Sequence, residues 1–269
     1  MRPLYLCFLL LCGCFGALSQ PSSQLLQLLE ASPADSNRLN TLLRLSRMYY
    51  DINTDSGLLF SNEAIDLACR LKMPEKEAEG LKFKGDNFDV RGTYDSAELF
   101  FNRAMEIQQK RKDHKSVAGL LLRIGSLYEA RSSYIEASNY FYRALAIGEK
   151  QGLVQVEAVA AANLALVQQH LANYAEAVSH YTRVLALFRS VNDTANMITA
   201  LNNMAAACSQ PAFMRLDSAW QFANEAKGLA EKTENYRQLS TATNALAGIY
   251  YERKQYDSAI LTYRQTIAL

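Results

Sequence analysis

One line of sequence recurs six times along the 269-residue chain, and this repeat constrains the fold more than any other feature. The copy "SYIEASNYFYRALAI" begins at Ser133, and the copy "TYDSAELFFNRAMEI" begins at Thr93. In chain order the copies begin at Asn53, Thr93, Ser133, Asn173, Arg215 and Gln255, in steps of 40, 40, 40, 42 and 40 residues. A fixed period of this length indicates a stacked array of similar structural units.

Each copy follows a segment with the apolar spacing of an α-helix. In the third copy this segment is "GLLLRIGSLYEA", in which Leu121, Ile124, Gly125 and Tyr128 share one helical face. The position of Gly125 is small in most copies, as expected where two helices approach closely, and the position of Tyr128 is often aromatic. The small residues are Gly85, Gly125, Ala165, Ala205 and Ala247, with Leu45 in the first copy, and the aromatic residues are Phe88, Tyr128 and Tyr250.

The repeated line itself predicts a second helix. Each copy carries an acidic residue in the first turn, where the helix dipole favours negative charge. One face then presents a small residue, an aromatic residue four positions later and a small residue three after that. The residues in this pattern are Ala97, Phe101 and Ala104; Ala137, Phe141 and Ala144; Ala177 and Tyr181; and Ala259 and Tyr263. We therefore predict helix–turn–helix units packed through their small positions.

These positions resemble the tetratricopeptide repeat, whose pattern is a small and an aromatic residue in one helix and alanine, aromatic and alanine in the next. The resemblance covers residues 38–269, with a period longer than the family's usual length of about 34 residues. It implies an all-α fold, an α-solenoid in which helix–turn–helix repeats form a right-handed superhelix. The six predicted repeats span about 38–77, 78–117, 118–157, 158–197, 198–239 and 240–269.

The first nineteen residues have the composition of an export signal. Arg2 precedes a short apolar stretch, and small residues Ala17 and Ser19 stand before a cleavage point at Gln20. We expect residues 1–19 to be removed and the protein to be periplasmic or secreted. A competing interpretation makes Cys14 a lipid-attachment site, because "LCGC" loosely resembles a bacterial lipobox. Residues 20–37 are predicted to form an N-terminal cap segment.

The composition and motifs argue against chemistry at a dedicated site. The formal charge of +1 provides no basic field for nucleic acid. His114, His170 and His180 lack partners at metal-ligand spacing, and His170 and His180 are interpreted as surface or interhelix residues. We expect no enzyme activity, no metal and no cofactor. Cys69 and Cys208 are expected to be buried free thiols.

The resemblance implies that the first helix of each pair lines a concave face where a peptide binds. Residues beside the small position of those helices are the candidates for contact: Lys82, Arg123, Asn163, Asn202, Asn203 and Asn244. A carboxamide both donates and accepts hydrogen bonds, so asparagines in successive repeats suit the backbone of an extended peptide.

We therefore expect an exported repeat scaffold that binds a protein or peptide partner without catalysis. The alternative is the periplasmic sensor region of a membrane-bound histidine kinase or transcriptional regulator, because the repeats resemble such regions in Bacteroidetes regulators. In that case the array continues past residue 269. Membrane attachment is expected only through a lipid anchor or a downstream helix, and the uncapped last repeat is a candidate for self-association.

Overall fold

The computed structural model describes residues 20–31 and 33–268, and this part of the chain is entirely helical apart from turns. The predicted signal segment, residues 1–19, and the alternative lipid site at Cys14 lie outside the described residues. The predicted all-α class is confirmed. No helix in the described ranges is both long and apolar enough to cross a bilayer.

Thirteen helices lie in the described residues, and after the first they come in six pairs. Helix α1 is Gln20–Ala31 and lies in the predicted cap segment. The pairs are α2 Ser36–Tyr49 with α3 Thr54–Arg70, α4 Pro74–Val90 with α5 Tyr94–Lys110, α6 His114–Ala130 with α7 Tyr134–Gln151, α8 Val154–His170 with α9 Tyr174–Ser190, α10 Thr194–Cys208 with α11 Leu216–Lys232, and α12 Tyr236–Glu252 with α13 Tyr256–Ala268.

The chain divides into two compact units, with α1–α5 in the first and α6–α13 in the second.

Each helix pair begins a few residues before the approximate repeat start that the sequence pattern suggested. Capping side chains explain several of these starts: Asp113 accepts from the backbone N–H of Ser116 at 3.0 Å, and Asp193 accepts from that of Asn196 at 3.1 Å. Such caps satisfy backbone donors that the first turn leaves without a partner.

A left-handed residue ends most of the helices. After α6, Ser132 has φ of 59°, and the N–H of Ser133 donates to the carbonyl of Tyr128 at 2.8 Å. After α8, Ala172 also has φ of 59°, and the N–H of Asn173 donates to the carbonyl of Gln168 at 2.8 Å. This six-to-one hydrogen bond is the Schellman motif. It reverses the chain within about three residues and so sets the short turn inside four of the six pairs: α4–α5, α6–α7, α8–α9 and α12–α13.

In the second unit, α6 and α7 meet where Gly125 faces Phe141. A methyl group built on Gly125 would lie 2.5 Å from Cε1 of the Phe141 ring, closer than carbon atoms pack. Phe141 is completely buried, as are Ala137 and Ala144 on the same face of α7. The small residue on the first helix thus makes room for the aromatic ring of the second. The same contact recurs in the first unit between Gly85 and Phe101.

Helix α1 extends the core of the first unit. Leu25 and Leu29 of α1 are buried in one cluster with Leu39 and Leu42 of α2. Arg38 also donates from Nη1 to the carbonyl of Leu29 at 2.5 Å. The first repeat, which matches the pattern poorly, therefore obtains its apolar contacts partly from α1.

Two sequence expectations differ from the structure. Cys69 is exposed, and only Cys208 is the buried free thiol that we expected. Tyr263, the aromatic residue of the predicted packing face in the last copy, is 40% exposed. Its equivalent Phe141 is also covered by the pair that follows it, since α7 packs on α8, whereas no described helix follows α13. The turn before α11 is exposed at Pro211 and Met214, while Phe213 packs against the apolar cluster of α10–α12.

Candidate functional site

The six candidate residues all lie on first helices, at two neighbouring positions of the repeat. Lys82 is on α4 in the first unit, where its Nζ lies 4.3 Å from the centre of the Phe83 ring. The other five are on α6, α8, α10 and α12 in the second unit. Asn163 and Asn203 are half-buried, Arg123 and Asn244 are exposed, and Asn202 is buried with 7% of its surface exposed. Whether they bind a ligand stays a prediction.

Asn202 joins α10 to α12. Its Nδ2 donates to Oε1 of Gln238 at 2.9 Å, and Nε2 of Gln238 donates to Oγ1 of Thr199 at 3.2 Å. Oδ1 of Asn202, in contrast, has no hydrogen-bond partner among the described residues. A buried acceptor without a donor costs about 1–3 kcal/mol. Asn202 thus has one structural hydrogen bond and one unsatisfied acceptor.

Asn203 belongs to a second polar group, formed by α8, α9 and α10. The hydroxyl of Tyr181 on α9 donates to Oε1 of Gln169 at 3.3 Å, and the Asn203 side chain lies beside the same hydroxyl. Burial raises the pKa of Tyr181 well above its usual range, the negative charge of Glu129 raises it further, and the Asn203 side chain opposes the rise. The hydroxyl is therefore a permanent donor at neutral pH.

Glu129, His170 and Tyr134 form a third group, which the sequence interpretation missed. Oε1 of Glu129, near the end of α6, lies 3.7 Å from Nε2 of His170, at the end of α8. The imidazole stacks on the Tyr134 ring with centroids 4.9 Å apart and planes 10° from parallel. Burial raises the pKa of Glu129, and the nearby His170 partly offsets this rise.

A signal for this third group was present in the repeat. Glu129 lies seven residues after Leu122, which occupies on α6 the repeat position of Asn202, and Gln169 takes the equivalent place forty residues later on α8. Residues seven apart share a helical face. Extending the candidate face by two turns would have included both side chains.

The second helices carry charges that are already paired within the array. Arg183 on α9 donates to Oε1 of Glu157 on α8, with Nε at 3.1 Å and Nη2 at 2.6 Å, and also pairs with Glu149 on α7. These pairs connect successive repeats and balance the charge of Arg183 without a ligand. Among residues 20–31 and 33–268, no group of three or more His, Cys, Asp or Glu side chains is arranged to hold a metal ion.

Comparison with known proteins agrees with this architecture. Residues 160–195, which contain most of α8 and all of α9, match the model of the tetratricopeptide repeat. No curated protein matches the sequence.

Solved structures resemble the chain in fold at low sequence identity. The structure of BtubC from P. vanneervenii aligns with a TM-score of 0.72 and 18% identity, covering 81% of this chain and 91% of that one. A signal transduction ATPase with a tetratricopeptide repeat sensor, from Pyrococcus horikoshii, aligns with a TM-score of 0.78 and 16% identity over 92% of this chain, but only 39% of that protein.

A third similar structure contains a bound factor. A Rap protein complexed with competence and sporulation factor aligns with a TM-score of 0.64 and 17% identity, covering 92% of this chain and 68% of that one. The paired helices, the match at residues 160–195 and these structural likenesses lead to one conclusion: the chain is an α-solenoid protein built of tetratricopeptide-like repeats.

Proposed function

We propose that the protein is a non-catalytic scaffold that binds an extended peptide, or an extended segment of a partner protein, on the first helices of its second unit. The observation that carries this proposal is the series of carboxamides on α8, α10 and α12. Asn163 and Asn203 occupy the same repeat position and are half-buried, and Asn244 on α12 is exposed. A peptide backbone supplies both the donors and the acceptors that such groups need.

The spacing of the helices suits this ligand. Helix α6 contacts α8, and α10 contacts α12, so these two pairs of neighbouring first helices lie side by side. Helices in contact lie about 8–10 Å apart. An extended chain rises about 3.3 Å per residue, so one repeat corresponds to roughly three peptide residues.

The fold comparison supports a binding role, since the similar Rap structure contains competence and sporulation factor. We further propose that the protein acts after export, in the periplasm or as a secreted protein, on the basis of the leader composition of residues 1–19. The second candidate function is a sensor that reports an occupied surface to other domains. The similar fold of a tetratricopeptide repeat sensor from Pyrococcus horikoshii favours it.

The test begins with an arrayed library of short, end-capped peptides probed with the purified protein. Peptides that bind are then titrated against Asn163→Ala and against Asn139→Ala, a control on the exposed surface of α7. Each hydrogen bond to the ligand contributes about 0.5–1.5 kcal/mol. We expect Asn163→Ala to weaken binding about two- to tenfold, while Asn139→Ala binds like the native protein.

Two outcomes contradict the proposal. No peptide in the array binds above background, or Asn139→Ala weakens binding as much as Asn163→Ala. The second result would place the ligand on the second helices. Matching melting temperatures of the two variants ensure that a loss of folding is not mistaken for a loss of contact.

A further inference from the structure

Glu129 is held in an environment that disfavours its charge. It is in the last turn of α6, where the helix dipole is negative, and that turn contains no basic residue. Its side chain is only 22% exposed, and burial is the main cause of its raised pKa. The carboxylate is therefore stabilised less here than it would be in water.

The groups around Glu129 do not neutralise it. His170 on α8 is the one basic partner of this carboxylate in the described part of the chain, and their 3.7 Å separation is too long for a strong hydrogen bond. Tyr181 on α9 is a neutral hydroxyl that donates to Gln169 instead. Tyr134 on α7 packs its ring against His170. A positively charged group of a ligand would be attracted to the Glu129 carboxylate, whose charge the protein itself balances only weakly.

The adjacent rings suit the shape of such a group. The His170 ring stacks on Tyr134, and the His170 side chain is still 49% exposed beside the carboxylate, so that a ligand group could contact the imidazole and Glu129 together. Lysine and arginine side chains pack their stems and charged heads against aromatic rings. Arginine adds a planar fork that pairs with a carboxylate through two hydrogen bonds.

We propose that Glu129, beside the stacked rings of Tyr134 and His170, is a subsite that receives a basic side chain of the bound peptide. This inference rests on the proposed function, because it assigns a ligand residue to the same first-helix surface. Gln169 and Asn203 connect the subsite to the carboxamides through Tyr181. The preferred ligand is thus an extended peptide with lysine or arginine at a fixed distance from the segment that contacts Asn203.

A structural role and a binding role for Glu129 predict opposite effects of Glu129→Gln on stability. If the contact with His170 held α6 and α8 together, Glu129→Gln would lower the melting temperature. If Glu129 is instead a binding residue with an unfavourable, partly buried charge, Glu129→Gln should be at least as stable as the native protein at neutral pH and should lose affinity for basic peptides.

The binding test uses the same peptide array with a second copy in which every arginine is replaced by citrulline and every lysine by norleucine. Citrulline keeps the shape of arginine and removes its charge. The proteins compared are the native chain, Glu129→Gln and Glu136→Gln, whose glutamate is exposed on α7 and whose charge change is the same.

We expect the native protein to select basic peptides and to bind their neutral copies about tenfold more weakly or worse. Glu129→Gln should bind basic and neutral copies equally, and Glu136→Gln should behave like the native protein. Selection of peptides without a basic residue, or unchanged discrimination in Glu129→Gln, would overturn this inference and leave the proposed function standing. A complete absence of peptide binding would overturn both.

Discussion

The contact between Gly125 and the Phe141 ring can be tested with two substitutions in one helix. Gly125 and Gly119 both lie inside α6, so replacing either by alanine removes the same unfavourable backbone freedom. A methyl group at Gly119 would meet nothing within 4 Å, whereas one at Gly125 would lie 2.5, 2.7 and 3.0 Å from three carbons of the Phe141 ring. Comparing Gly119→Ala with Gly125→Ala therefore separates the effect of helix propensity from the effect of packing.

The expected magnitudes follow from these distances. Glycine in a helix interior is less favourable than alanine by about 0.5–1 kcal/mol, so Gly119→Ala should raise the free energy of unfolding by that amount. Gly125→Ala has the same gain but forces the buried ring to move, and overpacking of this kind costs typically 1–3 kcal/mol. We expect Gly125→Ala to be less stable than Gly119→Ala by about 1–3 kcal/mol.

Urea unfolding followed by circular dichroism measures both variants, with midpoints compared because repeat arrays do not always unfold in one step. Phe141→Leu completes a double-mutant cycle, since a smaller side chain leaves room for the new methyl group. Gly125→Ala should cost less in that background. If Gly125→Ala stabilises the protein as much as Gly119→Ala, the helices do not meet at this position and the packing register is wrong.

Further predictions concern the turn at Ala172, the partly buried carboxylate of Glu129, and the thiols of Cys69 and Cys208. Ala172→Gly should stabilise the protein by about 0.5–1 kcal/mol because the left-handed backbone there is costly for any residue with a side chain, while Gly92→Ala, at φ of 71°, should lower the melting temperature. The raised pKa of Glu129 means that the unfolded chain binds fewer protons, so its contribution to stability falls as pH rises. Glu129→Gln should therefore melt at a higher temperature than the native protein at pH 7. This difference should disappear below about pH 4, where glutamate is protonated in the unfolded chain as well. A difference that grows in acid would contradict the raised pKa of Glu129. Cys69 should react with iodoacetamide in the folded protein and Cys208 only after denaturant is added, and equal rates measured by mass spectrometry would refute the difference in burial.

The repeated positions could be predicted because they obey local rules. Gly125, Ala137 and Phe141 recur at equivalent places, and a helix buries residues three and four apart on one face. The pairing of helices follows from the short turns between them. The fold class was therefore accessible from the sequence.

Side chains whose surroundings come from several repeats could not be placed in the same way. Glu129 and His170 are 41 residues apart, and their approach depends on how α6 and α8 pack. The exposure of Tyr263 depends on a neighbouring pair and not on its own helix. The left-handed residues at the turns, such as Ser132 and Ala172, are not glycines and so gave no signal in the sequence.

The position of a bound peptide is the most direct test of the account. A peptide selected from the array is resynthesised with a photoreactive phenylalanine analogue at each position in turn and is crosslinked to the native protein, and mass spectrometry then identifies the labelled residues. The account predicts labels on α6, α8, α10 and α12, including residues next to Asn163 and Asn203. Labels confined to α7, α9 and α11 would contradict the claim that the first helices form the binding surface.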